Sequence, residues 1–163
     1  MNSAPLLAVI AINALDFGGL SLRWPGDALK VAGEGEPVLG IEDCLAEVMA
    51  IPGALDAVLI DQTSGMAVAT GGGSRHLDAE KSAAGLSEIL RATLDGLAVT
   101  APGGTIRIRD MIITTDEGHH LLRPLETVFD GPMVIHVRLD PNRSNLALAR
   151  HRLQTLSDCL ITT

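Results

Sequence analysis

Side chains with reactive chemistry are sparse in this chain, and their spacing argues against a catalytic centre. His119 and His120 are neighbours in a strand-like run, so their imidazoles point to opposite sheet faces and do not share one metal. His136 on a nearby run could join either one, but no carboxylate or thiol stands at a ligand-like offset, and His76 and His151 read as solvated. Ser64, Ser74 and Ser87 lack the G-x-S-x-G frame, or a similar one, that exposes a nucleophile. The loop "GGGSRH" (Gly71 to His76) lacks the lysine–hydroxyl ending of a phosphate cradle and follows the second strand of a hairpin, so it reads as an exit loop. Asp56 and Asp61 bracket a strand, and Asp61 is placed to cap the turn behind it. Asp110 lies inside a strand-like run. It is either a charge that protects a sheet edge or a partner of Arg107 or Arg109 across a subunit contact. Cys44 and Cys159 have no metal- or redox-type spacing and read as free thiols. These residues imply no enzyme, no cofactor and no metal; an enzyme would need several perturbed titratable groups meeting in one cleft.

The elements that must position these side chains can be read from periodicity. In "IEDCLAEVMA" (Ile41 to Ala50) Ile41, Leu45 and Val48 share one helix face, and Glu42 and Asp43 suit its first turn. Pro52 and Gly53 stop it. "LDAVLID" (Leu55 to Asp61) reads as a buried strand, "QTSG" as a turn in which Gly65 is free to take positive φ, and "MAVAT" (Met66 to Thr70) as the return strand. The longest helical pattern runs from Leu77 to Val99, capped by Asp78, with Ala79, Ala83, Leu86, Leu90, Leu94 and Leu97 on one face and Gly96 at its exit. Ala83, Ala84 and Gly85 form a run of very small residues there; Gly85 costs about 1 kcal/mol against alanine in a helix, which close approach of another backbone could offset. Three strands follow at Thr105 to Thr115, His119 to Glu126 and Met133 to Asp140, with Pro124 suiting an edge or a strand end. In the last helix Asp140 stands at the cap and Pro141 at the first helical position, with Leu146, Ala149, Leu153, Leu156 and Leu160 as the stripe and Arg143, Arg150, His151 and Arg152 mostly off it. The order α-β-β-α-β-β-β-α with hairpin connections predicts an α+β fold: a five-stranded antiparallel sheet with three helices.

Composition narrows the function. The 163 residues suffice for one domain with a real core. A net charge of −8 and an aromatic content of 2% supply neither the positive footprint nor the stacking rings of a nucleic-acid binder. Free cysteines suit a reducing cytoplasm. The apolar run Pro5 to Leu15 is too short to span a bilayer and has no basic residue before it, so neither a transmembrane segment nor a signal peptide is expected. "VAGEGEPVLG" (Val31 to Gly40) reads as linker. Residues 1–40 are therefore expected to be an arm, partly disordered or adding a strand, ahead of a domain at 41–163.

What remains is surface. A sheet with an open edge tends to be completed by another chain, and the small-residue run is a natural close-contact patch, so a homodimer with a joined sheet and paired second helices is expected. The strings "IPGALDAVLIDQTSGM", "LDAEKSAAGLSEILRA", "HHLLRPL" and "DPNRSNLALARHRL", in that order from about Ile41 to Leu160, resemble the roadblock and dynein light chain family, a relative of profilin-like folds, and above all its small actinobacterial members. The resemblance implies dimers in which the helix matching Asp78 to Leu97 meets its copy, through Ala83, Ala84, Gly85, Leu86 and Leu90. It also implies that the strand matching Arg107 to Thr115 meets its copy at the sheet edge, with Arg107, Arg109 and Met111. Relatives are scaffolds or regulators of small Ras-like GTPases or signalling complexes, and no arginine here matches a catalytic finger, although Arg75, Arg91 and Arg107 are available. The expected function is a non-enzymatic dimeric regulator or scaffold. The alternative is a small-molecule sensor whose pocket would be lined by His119, Arg123 and His136.

Overall fold

The computed structural model describes residues 40–73, 78–104, 106–125 and 131–161, without the side chains of 159–161. The predicted arm (all but Gly40), the loop residues Ser74, Arg75 and His76, and the side chains of Cys159 and Leu160 lie outside the described residues. The elements are α1 (Ile41–Met49), β1 (Ala54–Asp61), β2 (Met66–Gly71), α2 (Ala79–Ala98), β3 (Met111–Thr114), β4 (His119–Leu125), β5 (Met133–Leu139) and α3 (Leu146–Ile161). They form the expected five-stranded antiparallel sheet and three helices, with strand order β2-β1-β5-β4-β3.

Alternation along the strands sorts the core onto two faces. Ala57, Leu59, Leu121, Ile135, Val137 and Leu139 point to one side, where Cys44, Leu45 and Val48 of α1 and Ala149 and Leu153 of α3 cover them. Val58, Ile60, Leu122 and Val134 point to the other, under Ala83, Leu86 and Leu90 of α2. Each fully buried leucine or isoleucine contributes about 1.5–3 kcal/mol, which is what holds an aromatic-poor core. Gly53 takes φ +84, and a Cβ there would come within 2.7 Å of Ser144, so only glycine lets the α1–β1 turn pack on the segment before α3.

Two boundaries differ from the sequence expectation. Asp140 does not cap α3. Its carboxylate accepts from the Asn142 N–H at 2.8 Å in a separate turn, and Asn145 caps the helix by accepting from the Leu148 N–H at 3.1 Å. Gly96 does not end α2, which runs on to Ala98.

Candidate functional site

α2 has two faces with different tasks. Asp78 accepts from the Lys81 N–H at 3.2 Å and starts the helix. Ala83, Leu86 and Leu90 then face the chain's own sheet, with Ala83 and Leu90 at 0% exposure. Ala84 and Gly85 face outward, and a Cβ on Gly85 or Gly96 would meet nothing within 4 Å. Ile89 at 42% and Val99 at 87% exposure extend this outer surface. Gly85, Ile89, Ala92, Gly96 and Val99 recur at steps of four and three, a second apolar stripe on the outside of the helix. Ile89 and Val99 are absent from the residues expected at an interface. That same spacing was the signal for them, obscured by the stronger inner stripe.

At the far edge of the sheet β3 holds four residues, not the eleven from Thr105 to Thr115. Ile108 and Met111 both pack into the cluster under α2. An odd separation cannot put two side chains on one face of a continuous strand, so the chain bends between them, at Arg109. The β3–β4 register, Met111 opposite Leu122, would set Arg109 opposite Pro124, which has no N–H to complete a pair. Arg107 and Arg109 therefore lie exposed in an irregular segment ahead of the strand, while Met111 opens the strand half-buried.

Asp110 is not an exposed edge charge. Its carboxylate accepts from Arg123 of β4 and from Nε of Arg150 of α3, the latter at 2.7 Å, and its side chain is 7% exposed. The β3–β4 register sets Arg123 opposite Asp110, a signal carried by the hairpin spacing; Arg150 lies 40 residues away, and spacing gave no sign of it. Beside it opens a cavity of about 910 Å³, lined by Leu94, Ile106, Ile108, Arg109, Arg123 and Pro124 among others.

The histidines are divided. His119 faces the α1–α3 side, its Nδ1 3.0 Å from the Thr114 hydroxyl. His120 and His136 face the α2 side with rings stacked at 5.3 Å and His120 Nδ1 3.1 Å from His136 Nε2. His136 Nδ1 is buried without a partner. A bare lone pair is cheaper to bury than an N–H, so the His136 proton belongs on Nε2, donating to His120. Burial, and then the charge of His120 nearby, push the His136 pKa down to about 4; burial and then Arg138 lower that of His120. Nε and a terminal nitrogen of Arg138 donate to one oxygen of Asp56, at 2.9 Å from Nε, and Asp56 is fully buried. Among the described residues no three His, Cys, Asp or Glu side chains converge as metal ligands would. Of the residues expected to line a ligand pocket, only Arg123 reaches the cavity; His119 and His136 stand elsewhere.

No protein-family profile matches the chain, and no curated protein matches it. Solved structures do. Myxococcus xanthus MglB aligns with TM-score 0.61 and 18% identity over 76% of this chain and 95% of its own. A structure described as MglB with tetrameric arrangement aligns with TM-score 0.61 and 17% identity over 79% and 95%. The roadblock/LC7 domain from Streptomyces avermitilis aligns with TM-score 0.55 and 17% identity over 69% and 87%. At such identities the likeness concerns the path of the chain, and the element order, sheet order and helix placement agree with it: this protein has the roadblock/LC7 fold.

Proposed function

We propose that the chain is a homodimeric, non-enzymatic regulator or scaffold of the reducing cytoplasm, and that two copies together present a platform to a small Ras-like GTPase or a signalling complex. The observation that carries this reading is the outer stripe of α2, which is apolar, rich in small residues and unused by the chain's own core. A helix of this length gives a contact about 30 Å long, and glycines at its surface allow two backbones to approach. In this reading Ala84, Gly85, Ile89 and Ala92 meet their copies, while Ala83, Leu86 and Leu90 hold the helix from beneath. Arg107, Arg109 and Met111 stand at the second contact, where the short β3 edge offers backbone groups to its copy. Residues 1–40 are an arm outside this domain. The tetrameric arrangement of one MglB neighbour supports association of copies, and a Ras-like partner is what the family resemblance implies. No helix of the described residues is long and apolar enough to cross a membrane.

The Gly85→Ala variant tests the contact. With open space around Gly85 in the single chain, alanine stabilises the isolated fold by up to about 1 kcal/mol. In the dimer the added methyl group separates the helices, so sedimentation is expected to show weaker association despite the more stable fold. A wild-type chain that sediments as a monomer at micromolar concentration, or a variant that associates as well as wild type, removes the proposed contact. Copurification of a small GTPase, followed by GTP hydrolysis with and without the chain, tests the partner.

A further inference from the structure

The cavity beside Asp110 has a charge and shape that the fold does not require, and Arg107 and Arg109 bring it to the border of the second proposed dimer contact. It lies where β3 stops, between the end of β4, α3 and the C-terminal half of α2. Arg123 and Arg150 each give one nitrogen to Asp110, Arg123 Nη1 and Arg150 Nε. A guanidinium carries five N–H donors, so Asp110 engages only a minority of theirs. Arg109 makes no ion pair among the described residues. Arg107 and Asp158 also line the space and make further interactions of their own. The lining holds four arginines and two aspartates, which leaves two positive charges in one concavity of a chain whose net charge is −8. Concave walls of low dielectric focus such a field. The rest of the lining includes Leu94, Ile106, Ile108 and Pro124, with Gln62, Gln154 and Ser157 as neutral polar groups. No aromatic ring is among the described lining residues, so a nucleobase has nothing to stack on.

We propose that this cavity is a binding site for a small aliphatic phosphate monoester. The dianionic phosphate would sit against Arg109, Arg123 and Arg150, and the apolar body against Leu94, Ile106 and Ile108. Arginine forks match phosphate oxygens two at a time, and a phosphate monoester carries close to two negative charges at neutral pH. Asp110 is a positioning residue: it orients two of the guanidinium groups and offsets part of their charge. The volume of about 910 Å³ fits a metabolite-sized ligand. This assignment stands on the single chain and needs neither the dimer nor a GTPase.

Calorimetric titration of the full chain at low ionic strength with hexyl phosphate, inorganic phosphate, suberate and AMP tests it. Hexyl phosphate is expected to bind in the sub-millimolar range, more tightly than the other three. Arg109→Gln, outside the Asp110 ion pairs, is expected to weaken it about fivefold or more while leaving the circular dichroism spectrum unchanged. Asp110→Asn keeps an oxygen acceptor for the two guanidinium groups and removes a competing negative charge, so it is expected to tighten binding; Asp110→Ala, which removes the orienting contact, is expected to weaken it, and weaker binding by Asp110→Asn than by wild type overturns the assignment. Absence of binding, equal binding to Arg109→Gln, or tighter binding of AMP or suberate each overturns the assignment. Inorganic phosphate binding as tightly as the ester overturns the aliphatic part of it. Sedimentation of the same samples separates this outcome from failure of the dimer.

Discussion

Two arginine–aspartate clusters sit on opposite faces of one sheet and differ in what surrounds them. Asp56 of β1 and Arg138 of β5 are register partners, with Asp56 at 0% exposure and His120 the next residue across. Asp110 and Arg123 belong to the other face, where Arg123 stands beside Ile135, and Arg150 reaches them from α3. The first cluster is enclosed. Both arginine donors converge on one oxygen, and the second oxygen of Asp56 has no partner among the described residues. The second cluster opens on a cavity, with one carboxylate serving two guanidinium groups. The difference separates a structural device from a binding surface. A buried, underpaired carboxylate makes the strand register costly to change, because a one-residue slip of β1 would turn Asp56 into the wholly apolar face under α1. Underused guanidinium groups at a concave surface instead leave donors for a ligand.

The sharpest way to break this contrast is Arg138→Ala. It strands Asp56 in the interior, and removing one partner of a buried pair costs about 3–5 kcal/mol. Urea unfolding is expected to show a loss of that size. The double variant Asp56→Leu with Arg138→Met, which replaces the pair by apolar volume, is expected to recover most of it. A loss below about 1 kcal/mol in the single variant would mean that solvent reaches Asp56 and that the two clusters are alike.

Acid provides the next largest effect, through the histidine beside the enclosed cluster. His136 is 2% exposed and its pKa is pushed down to about 4, from 6.5 in the unfolded chain. The unfolded state therefore takes up the proton first. The contribution of neutral His136 is fully present above pH 6.5 and is lost progressively as pH falls toward 4. A shift of this size corresponds to about 3 kcal/mol. Asp56, Arg138 and His120 all bear on this group, with Asp56 opposing the shift and the two cationic groups reinforcing it. Stability measured in urea between pH 7 and pH 4 is expected to fall by that amount, and His136→Gln is expected to flatten the slope. An unchanged slope in that variant would assign the acid sensitivity to other groups.

Much of this architecture is visible in the sequence because local rules agree with the packing. The α1 and α2 core faces, the Asp78 cap, the turn glycines Gly53 and Gly65 and the Asp61-capped hairpin all obey rules that act within a few residues. Gly53 and Gly65 take φ +84 and +71, and Asp61 accepts from the Thr63 N–H and the Ser64 hydroxyl. The misreadings occur where a nonlocal partner decides. At Asp140 a helix-cap signal is diverted into a turn pinned by the β1 approach, since the Asp140 N–H donates to the Gly53 carbonyl. In "TIRIRDMIIT" the alternation of Ile106 and Ile108 is out of phase with that of Met111 and Ile113. That phase slip is in the sequence and marks the bend at Arg109. The pairs Asp56–Arg138 and Asp110–Arg150 span 82 and 40 residues, and nothing local announces them.

The smallest effect is expected at the open cluster, from Arg150→Ala. The Arg150 side chain is 56% exposed, against 23% for Arg138. A half-exposed guanidinium gains little from its partner, since water screens the charge and the long side chain loses entropy on being held. Asp110 keeps Arg123 as its partner in the variant, so no buried charge is stranded. The loss is expected to be about 0.5 kcal/mol and to shrink further in 1 M salt. The Arg138→Ala loss is expected to be larger and nearly insensitive to salt, because its partner has no contact with solvent. Paired urea titrations at low and high salt compare the two directly. Equal losses with equal salt dependence would show that enclosure does not distinguish the clusters, and would remove the physical ground for assigning one to strand register and the other to a ligand.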